Sequence, residues 1–282
     1  MPGVPSCEVY PHAPLVLVAA EVRHPDATPL TDRQHQQLRN LLSRSLPLSR
    51  PLLGAPGMIA SIAPGADPQM TPIPATTLPR YMSRDLFTSV TFHRDAVVVE
   101  TTRYQGFEHL FALVRHVLEA RLAVGPLDGV DRVGLRYIDE IRTPGAGEPG
   151  AWGQWIHPSL LGPENLSGEL HLSNDAWQGI AAYSGSLPGS APFDQMSVVL
   201  RYGVGDGYAV APSGDLRRDT PPPGPFFLID IDSFWGARDG VPPLDLDTLA
   251  ATLEGLHAPV RALFENAITD RLRNEVLRHH DS

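Results

Sequence analysis

Six ionisable side chains crowd into two short apolar runs, and their spacing is the first clue to any chemistry. The run Val133–Ile141, "VGLRYIDEI", carries Arg136, Tyr137, Asp139 and Glu140; the run Phe227–Trp235, "FLIDIDSFW", carries Asp230 and Asp232. Both read as β-strands, whose side chains alternate between two faces. Tyr137 and Asp139 therefore share a face with Val133, Leu135 and Ile141. Gly134, Arg136, Ile138 and Glu140 share the other. In a functional reading, Arg136 clamps an anionic group with its planar guanidinium, and Tyr137, Asp139 and Glu140 complete a ligand-binding patch. Asp230 and Asp232 lie on one strand face and, with a third acid such as Asp139 or Glu140, offer oxygen ligands to Mg²⁺ or Mn²⁺. That set suits a metal-dependent hydrolase or phosphotransferase.

Each of these readings has a plainer rival. Arg136 has Glu21, Glu100 and Glu140 as potential partners on neighbouring strands, so an ion pair that fixes strand register explains it as well. Asp-x-Asp is short and recurs by chance, and the glycine-serine element of a nucleotidyltransferase is missing upstream. A solvated or arginine-paired acid is the commoner outcome. The rest of the chain offers less. His109 and His116 share a helix face opposite its apolar stripe, while His24, His93, His171 and His257 are too scattered to form a motif. "YSGSLPGS" (183–190) lacks the G-x-S-x-G elbow and reads as a turn. "YGVGDGY" (202–208) lacks the helix start that a phosphate loop needs, and Gly205–Gly207 reads as a hairpin turn. Trp152, Trp155, Trp177 and Trp235 suit either a core or an apolar cleft.

Composition removes whole classes of chemistry. All 22 basic residues are arginine, so no lysine is present for a Schiff base, a Ser-Lys dyad or a P-loop. One cysteine, Cys7, excludes disulfides within the chain, cysteine-rich zinc sites and iron–sulfur clusters. A net charge of −10 without any basic run makes nucleic acid an unfavourable partner. No apolar run reaches the roughly 20 residues of a membrane span, and "MPGVPSCEVYPHAP" lacks the features of a signal peptide, so the cytoplasm is the expected compartment.

The elements that must position these residues follow from periodicity. A strand is predicted at 15–24. A helix follows, with Thr31 and Gln34 in capping-box spacing and Leu38, Leu41 and Leu42 on one face. Residues 47–79 are broken by prolines and read as an ordered meander or a mobile loop, with a short strand at 58–62. A hairpin at 86–92 and 96–102 turns on "HRD". An amphipathic helix runs through "YQGFEHLFALVRHVLEARL". The second half offers strands at 168–173, 179–184, 195–202 and 226–234. A long closing helix spans 244–277, with Pro259 expected to bend or break it near His257.

Three of these segments together resemble a known family. They are the first strand with its capped helix, "YQGFEHL" with "GLRYIDEI", and "LHAPVRALFENAITDRLRNEVL". They look like a sporadically distributed, uncharacterised bacterial family, and the similarity runs from Pro14 to Leu277. It is firmest at Gly134–Ile138, at the IDID run 229–232 and at the LFENAIT run 263–269; Asp139 stands where that family often has asparagine. The resemblance implies an intracellular bacterial protein and supplies no catalytic residue.

The expected fold is α+β. Its sheet should be largely antiparallel, in two halves at 1–142 and 143–282 or in one integrated domain, with helices on one face and a long C-terminal helix. The expected role is a non-enzymatic accessory module. It would bind a protein or small molecule in a cleft between the halves, around Arg136, Tyr137, Asp230 and Asp232, with 47–79 as a possible lid. A metal-dependent enzyme at Asp230 and Asp232 is the alternative. The amphipathic C-terminal helix also suits a homodimer.

Overall fold

A computed structural model describes residues 10–53, 57–61, 69–73, 77–146, 150–162, 176–187, 194–238 and 240–278. The expected strand at 168–173 and Cys7 lie outside them. Strand β1 (Leu15–Arg23) leads into α1 (Asp32–Leu42), which starts with the expected capping box. Thr31 accepts from the Gln34 backbone N–H, and the Gln34 side chain accepts from the Thr31 N–H at 2.9 Å. The hairpin β8 (Thr88–Phe92) and β9 (Ala96–Thr101) precedes α2 (Phe107–Val124) and β10 (Arg132–Ile141). The second half supplies β11 (Trp177–Ser186), β12 (Gln195–Gly205), β13 (Phe226–Gly236) and α3 (Leu246–Ala267).

The proline-rich stretch folds more regularly than its composition suggests. Its strands are β2 (Leu48–Ser49), β3 (Leu52–Leu53), β4 (Gly57–Ser61), β5 (Gln69–Ile73), β6 (Thr77–Leu78) and β7 (Arg80–Met82). Leu48 faces Met82, Leu52 faces Leu78 and Gly57 faces Ile73, one register throughout. The described segments of the stretch thus pair antiparallel in a single register. Proline removes a ladder donor without abolishing extended backbone, which is why composition alone suggested a meander.

One nine-stranded antiparallel sheet joins both halves of the chain, in the order β11-β12-β13-β10-β1-β9-β8-β7-β2. The seam is β10 against β13. Helices cover the face that carries Val18, Ala20 and Val22 of β1 and Leu135, Tyr137 and Ile141 of β10. There Leu249, Leu253, Leu256 and Val260 of α3 close over β10 and β13, so the helix spends its apolar stripe on its own sheet. α3 runs unbroken through Pro259 and stops at Ile268, which turns extended to bridge Ile156; Thr269 then caps a final turn. The predicted break at Pro259 is therefore displaced by nine residues. Packing of the stripe on both sides of the proline outweighs one lost backbone hydrogen bond.

Two turn expectations are also corrected. Tyr183–Ser186 belong to β11 rather than to a turn. Gly205–Gly207 do not make a tight hairpin: the ladder continues to Gly207 and Gly224, and residues 208–223 form a loop over the open sheet face. That loop reaches β8 and β9, where the Arg217 N–H donates to the Leu86 carbonyl at 2.9 Å and Asp219 pairs with Arg103 at 3.1 Å.

Gly134 has a specific task on the open face. A Cβ there would lie 2.5 Å from Nη1 of Arg132, whose side chain runs along the strand to reach Glu21 and Asp232. Gly134→Ala should therefore displace that guanidinium and cost about 1 kcal/mol. Chemical denaturation of Gly134→Ala, Arg132→Ala and the double variant checks this: the two losses should be strongly non-additive, because both remove the same contacts.

Candidate functional site

Strand alternation splits the sequence-predicted site into two places. Arg136, Glu140, Asp230 and Asp232 stand on the open face, whereas Tyr137 and Asp139 face the helices. The six residues do not converge on one cleft between halves.

On the open face the three acids of the predicted site, Asp230, Asp232 and Glu140, are each engaged by arginine. Arg136 donates from Nε to Asp230 Oδ1 at 2.8 Å and from Nη2 to Oδ2 at 2.7 Å, a two-pronged clamp, and Arg201 adds a contact at 3.4 Å. Asp232 accepts two bonds from Arg132 Nη2, both at 3.0 Å, and Arg132 also holds Glu21. The partner of Arg136 is thus Asp230, not Glu21, Glu100 or Glu140. Glu140 is buried beneath the 208–223 loop. It accepts from Arg142 at 2.8 Å, Arg218 at 3.2 Å and the Ala209 N–H at 2.7 Å. It anchors the loop that covers it. Asp139, the proposed third metal acid, is on the far side of the sheet, and no cluster of three metal-ligating side chains exists among the described residues. The geometry therefore gives Asp230 and Asp232 arginine partners in place of an open cation site.

The helix side is different in kind. A cavity of about 120 Å³ opens between β10, the start of β1, the start of α2 and the middle of α3. Its walls are largely aromatic. Phe107 stacks on His257 with centroids 4.1 Å apart and planes 7° from parallel, and Tyr137 lies 5.9 Å from the same imidazole. Tyr104 meets Tyr137 edge-on, their hydroxyls 3.3 Å apart. Glu265 sits on the rim, accepting from the Tyr10 hydroxyl at 2.9 Å and from Arg273 Nε at 2.9 Å.

Asp139 lines this cavity at 5 % exposure, and no hydrogen bond reaches its carboxyl among the described residues. Burial, with the charge of Asp230 second, pushes its pKa up to about 8. Burial, with Arg261 second, pushes His257 down to about 4. Near neutral pH both groups are mostly uncharged, an acid able to donate and an imidazole able to accept. Backbone features open the space: the pairing of β1 with β10 shifts between Leu15 and Leu17, opposite Asp139. Gly106, at φ 109°, lets the chain enter α2 beside Phe107 without a side chain.

The sequence pointed to Tyr137 and Asp139 but not to their cavity partners. His257 was visible only as one of several scattered histidines, and Tyr104, Phe107 and Glu265 read as ordinary helix residues. The four tryptophans do not line this cavity. Trp152, Trp155 and Trp235 are buried core, and Trp177 packs edge-on against Phe227 and Tyr202. His24 is buried at the other end of β1, its backbone N–H bonded to Asp95, and does not meet His257. No protein-family model matches the chain, and no curated protein is similar to it.

Two measurements follow. Arg136→Ala leaves Asp230, almost wholly buried, with only the longer Arg201 contact. Because Arg136 is half exposed, the expected loss is about 2 kcal/mol, below that of a fully buried pair. Urea unfolding reads it, and Asp230→Asn should cost less. The second measurement concerns pH. Between 3.8 and about 8 folded Asp139 keeps a proton that the unfolded chain has released, so its contribution falls as pH rises. His257 acts oppositely: between 6.5 and about 4 the unfolded chain takes a proton that the folded chain refuses, so stability falls as pH drops. The slopes oppose each other at acidic pH, and above 6.5 only that of Asp139 remains. Asp139→Asn should flatten the decline in Tm between pH 6.5 and 8; an unchanged decline would show that Asp139 titrates normally.

Proposed function

We propose that this chain is a small-molecule-binding module whose site is the aromatic cavity between β10 and α3. The observation that carries this reading is Asp139, a buried carboxyl with no hydrogen-bond partner among the described residues, set in the cavity wall. Folding alone gives no reason to keep such a group, because an uncompensated carboxyl in an apolar site costs stability that asparagine or leucine would spare. The cavity accommodates several waters or one end of a small ligand and is open on one side.

The arginine clamps argue against a metal-dependent hydrolase at Asp230 and Asp232, since the oxygens that a cation would need are already in use. They support the structural reading of the open face. Binding without turnover also agrees with a chain that has no lysine and one cysteine. No helix among the described residues is long and apolar enough to cross a membrane. We place the module in the cytoplasm on the sequence-based expectation.

Fragment screening by protein-observed NMR tests the site. Hits should perturb resonances of Tyr104, Tyr137 and His257. Ala13→Trp, a change at an exposed rim position, should block them while leaving the fold intact. Hits that map to the open face around Arg136, and survive the rim substitution, would move the site there.

A further inference from the structure

The cavity wall also limits what it can hold. The geometry points to a small organic ammonium, a protonated amine on an apolar or aromatic body, with its charged head on the Asp139 carboxylate. This inference rests on the cavity being the ligand site and adds the chemical class of the ligand.

Two independent features support it. The first is the unmatched acid. Of the two acids lining the cavity, Glu265 is already engaged by Tyr10 and Arg273, whereas no hydrogen bond reaches the Asp139 carboxyl among the described residues; Asp230 across the strand is held by Arg136 and Arg201. The second is the wall itself. Tyr104, Phe107, Tyr137, His257 and Phe264 line one cavity around that acid. Aromatic faces carry negative quadrupole charge, so a ring of them stabilises a cation withdrawn from water, whereas they repel an anion. The imidazole belongs to the same set: stacked flat on Phe107 and held neutral by burial, it presents no competing positive charge.

The charged groups around Asp139 fit one picture. On its own strand and across from it are Tyr137 and Asp230; from α3 come His257, Arg261 and Glu265; from the N-terminal segment and the approach to α2 come Tyr10 and Tyr104. Arg261 is the one cation among the cavity-lining residues, and it has an interaction of its own in the structure. In the empty site Asp139 is mostly protonated at neutral pH. An arriving ammonium turns it into a carboxylate, and the carboxylic proton leaves to solvent. The amine keeps its own proton, so charge balances as one cation in and one proton out. Ionising the raised Asp139 carboxyl near neutral pH costs little beside what a charge-assisted hydrogen bond to an ammonium returns in a dry site.

Isothermal titration of the full chain with benzylamine, benzyl alcohol and phenylacetate tests the class, alongside NMR mapping of each. Benzylamine should bind at the cavity with release of about one proton, read from the buffer dependence of the heat at pH 7. Asp139→Asn should weaken it at least about tenfold, the loss of a charge-assisted contact, and Ala13→Trp should block it with the acid untouched. Thermal scans establish that both variants fold. If benzyl alcohol or phenylacetate maps to the cavity and binds as well as benzylamine, or if Asp139→Asn leaves benzylamine binding intact, the ammonium class is wrong while the cavity remains the site. If a wider fragment set also leaves Tyr104, Tyr137 and His257 unperturbed, the cavity reading itself falls.

Discussion

A central strand cannot choose which of its ionisable side chains to hide. β10 lies between β1 and β13 with protein on both faces, so its two-residue period sends Arg136 and Glu140 one way and Tyr137 and Asp139 the other. Each buried charge must then be matched on its own face or given up. On the open face the match comes from arginine: Arg132, Arg136, Arg142, Arg201 and Arg218 hold Glu21, Asp232, Asp230 and Glu140. A guanidinium suits this, because its flat fork meets both carboxylate oxygens and stays charged under partial burial, where a lysine would surrender its proton more readily. These pairs are more than a rim of surface charge. Arg132 crosses three strands, and Glu140 ties the 208–223 loop to the sheet, so the network sets both register and cover.

On the helix face the match is withheld. Asp139 shares its cavity with apolar side chains, three tyrosines and a neutral imidazole, and neither an arginine hydrogen bond nor a favourable charge offsets the cost of its burial. The same protein that clamps Asp230 twice leaves Asp139, one register position away on the adjacent strand, without a hydrogen-bond partner among the described residues. The Asp230 charge on the opposite side of the sheet makes this worse, since its field adds to the burial cost. A group held in that condition has affinity stored in it, available to whatever cation the cavity admits.

How far the sequence reveals this depends on the range of the interaction. Local signals survive well: the capping box at Thr31 and Gln34, the β8–β9 hairpin, the α2 stripe and the division of β10 into two faces depend on neighbours a few residues apart. Pairings across the chain do not. That Arg136 meets Asp230 depends on β10 lying beside β13, and alternation could have produced Glu21 or Glu140 equally well. The cavity is harder still, because Tyr104, Tyr137, His257 and Glu265 come from three segments that meet only when α2 and α3 dock on the sheet. Pro259 misled for a related reason: its local cost is real, but the helix is held by long-range packing that no local rule contains. The proline ribbon at 48–82 is the opposite case, where regular pairing runs on through a composition that argues for irregularity.

The cavity has walls of unequal firmness, and this bears on how a ligand enters. β10 is laddered on both sides, and α2 and α3 are fixed to the core through Leu110, Val114, Leu253 and Leu256. The rim formed by Tyr10–Pro14 is anchored at both ends and exposed between them at Pro11, His12 and Ala13. Tyr10 is buried and reaches Glu265, the His12 N–H bonds the Leu277 carbonyl at 3.2 Å, and Pro14 accepts from the Glu140 N–H at 2.8 Å. Moving α3 would break the apolar core, so fluctuations should concentrate at the exposed middle of the rim. Tyr10 is at once a wall of the cavity and a partner of Glu265, which in turn holds Arg273 in the last helical turn. On the reading proposed above, the two cavity carboxylates differ in kind: Glu265 is shared with a tyrosine and an arginine, whereas Asp139 has no hydrogen-bond partner among the described residues, so an entering cation would gain more at Asp139.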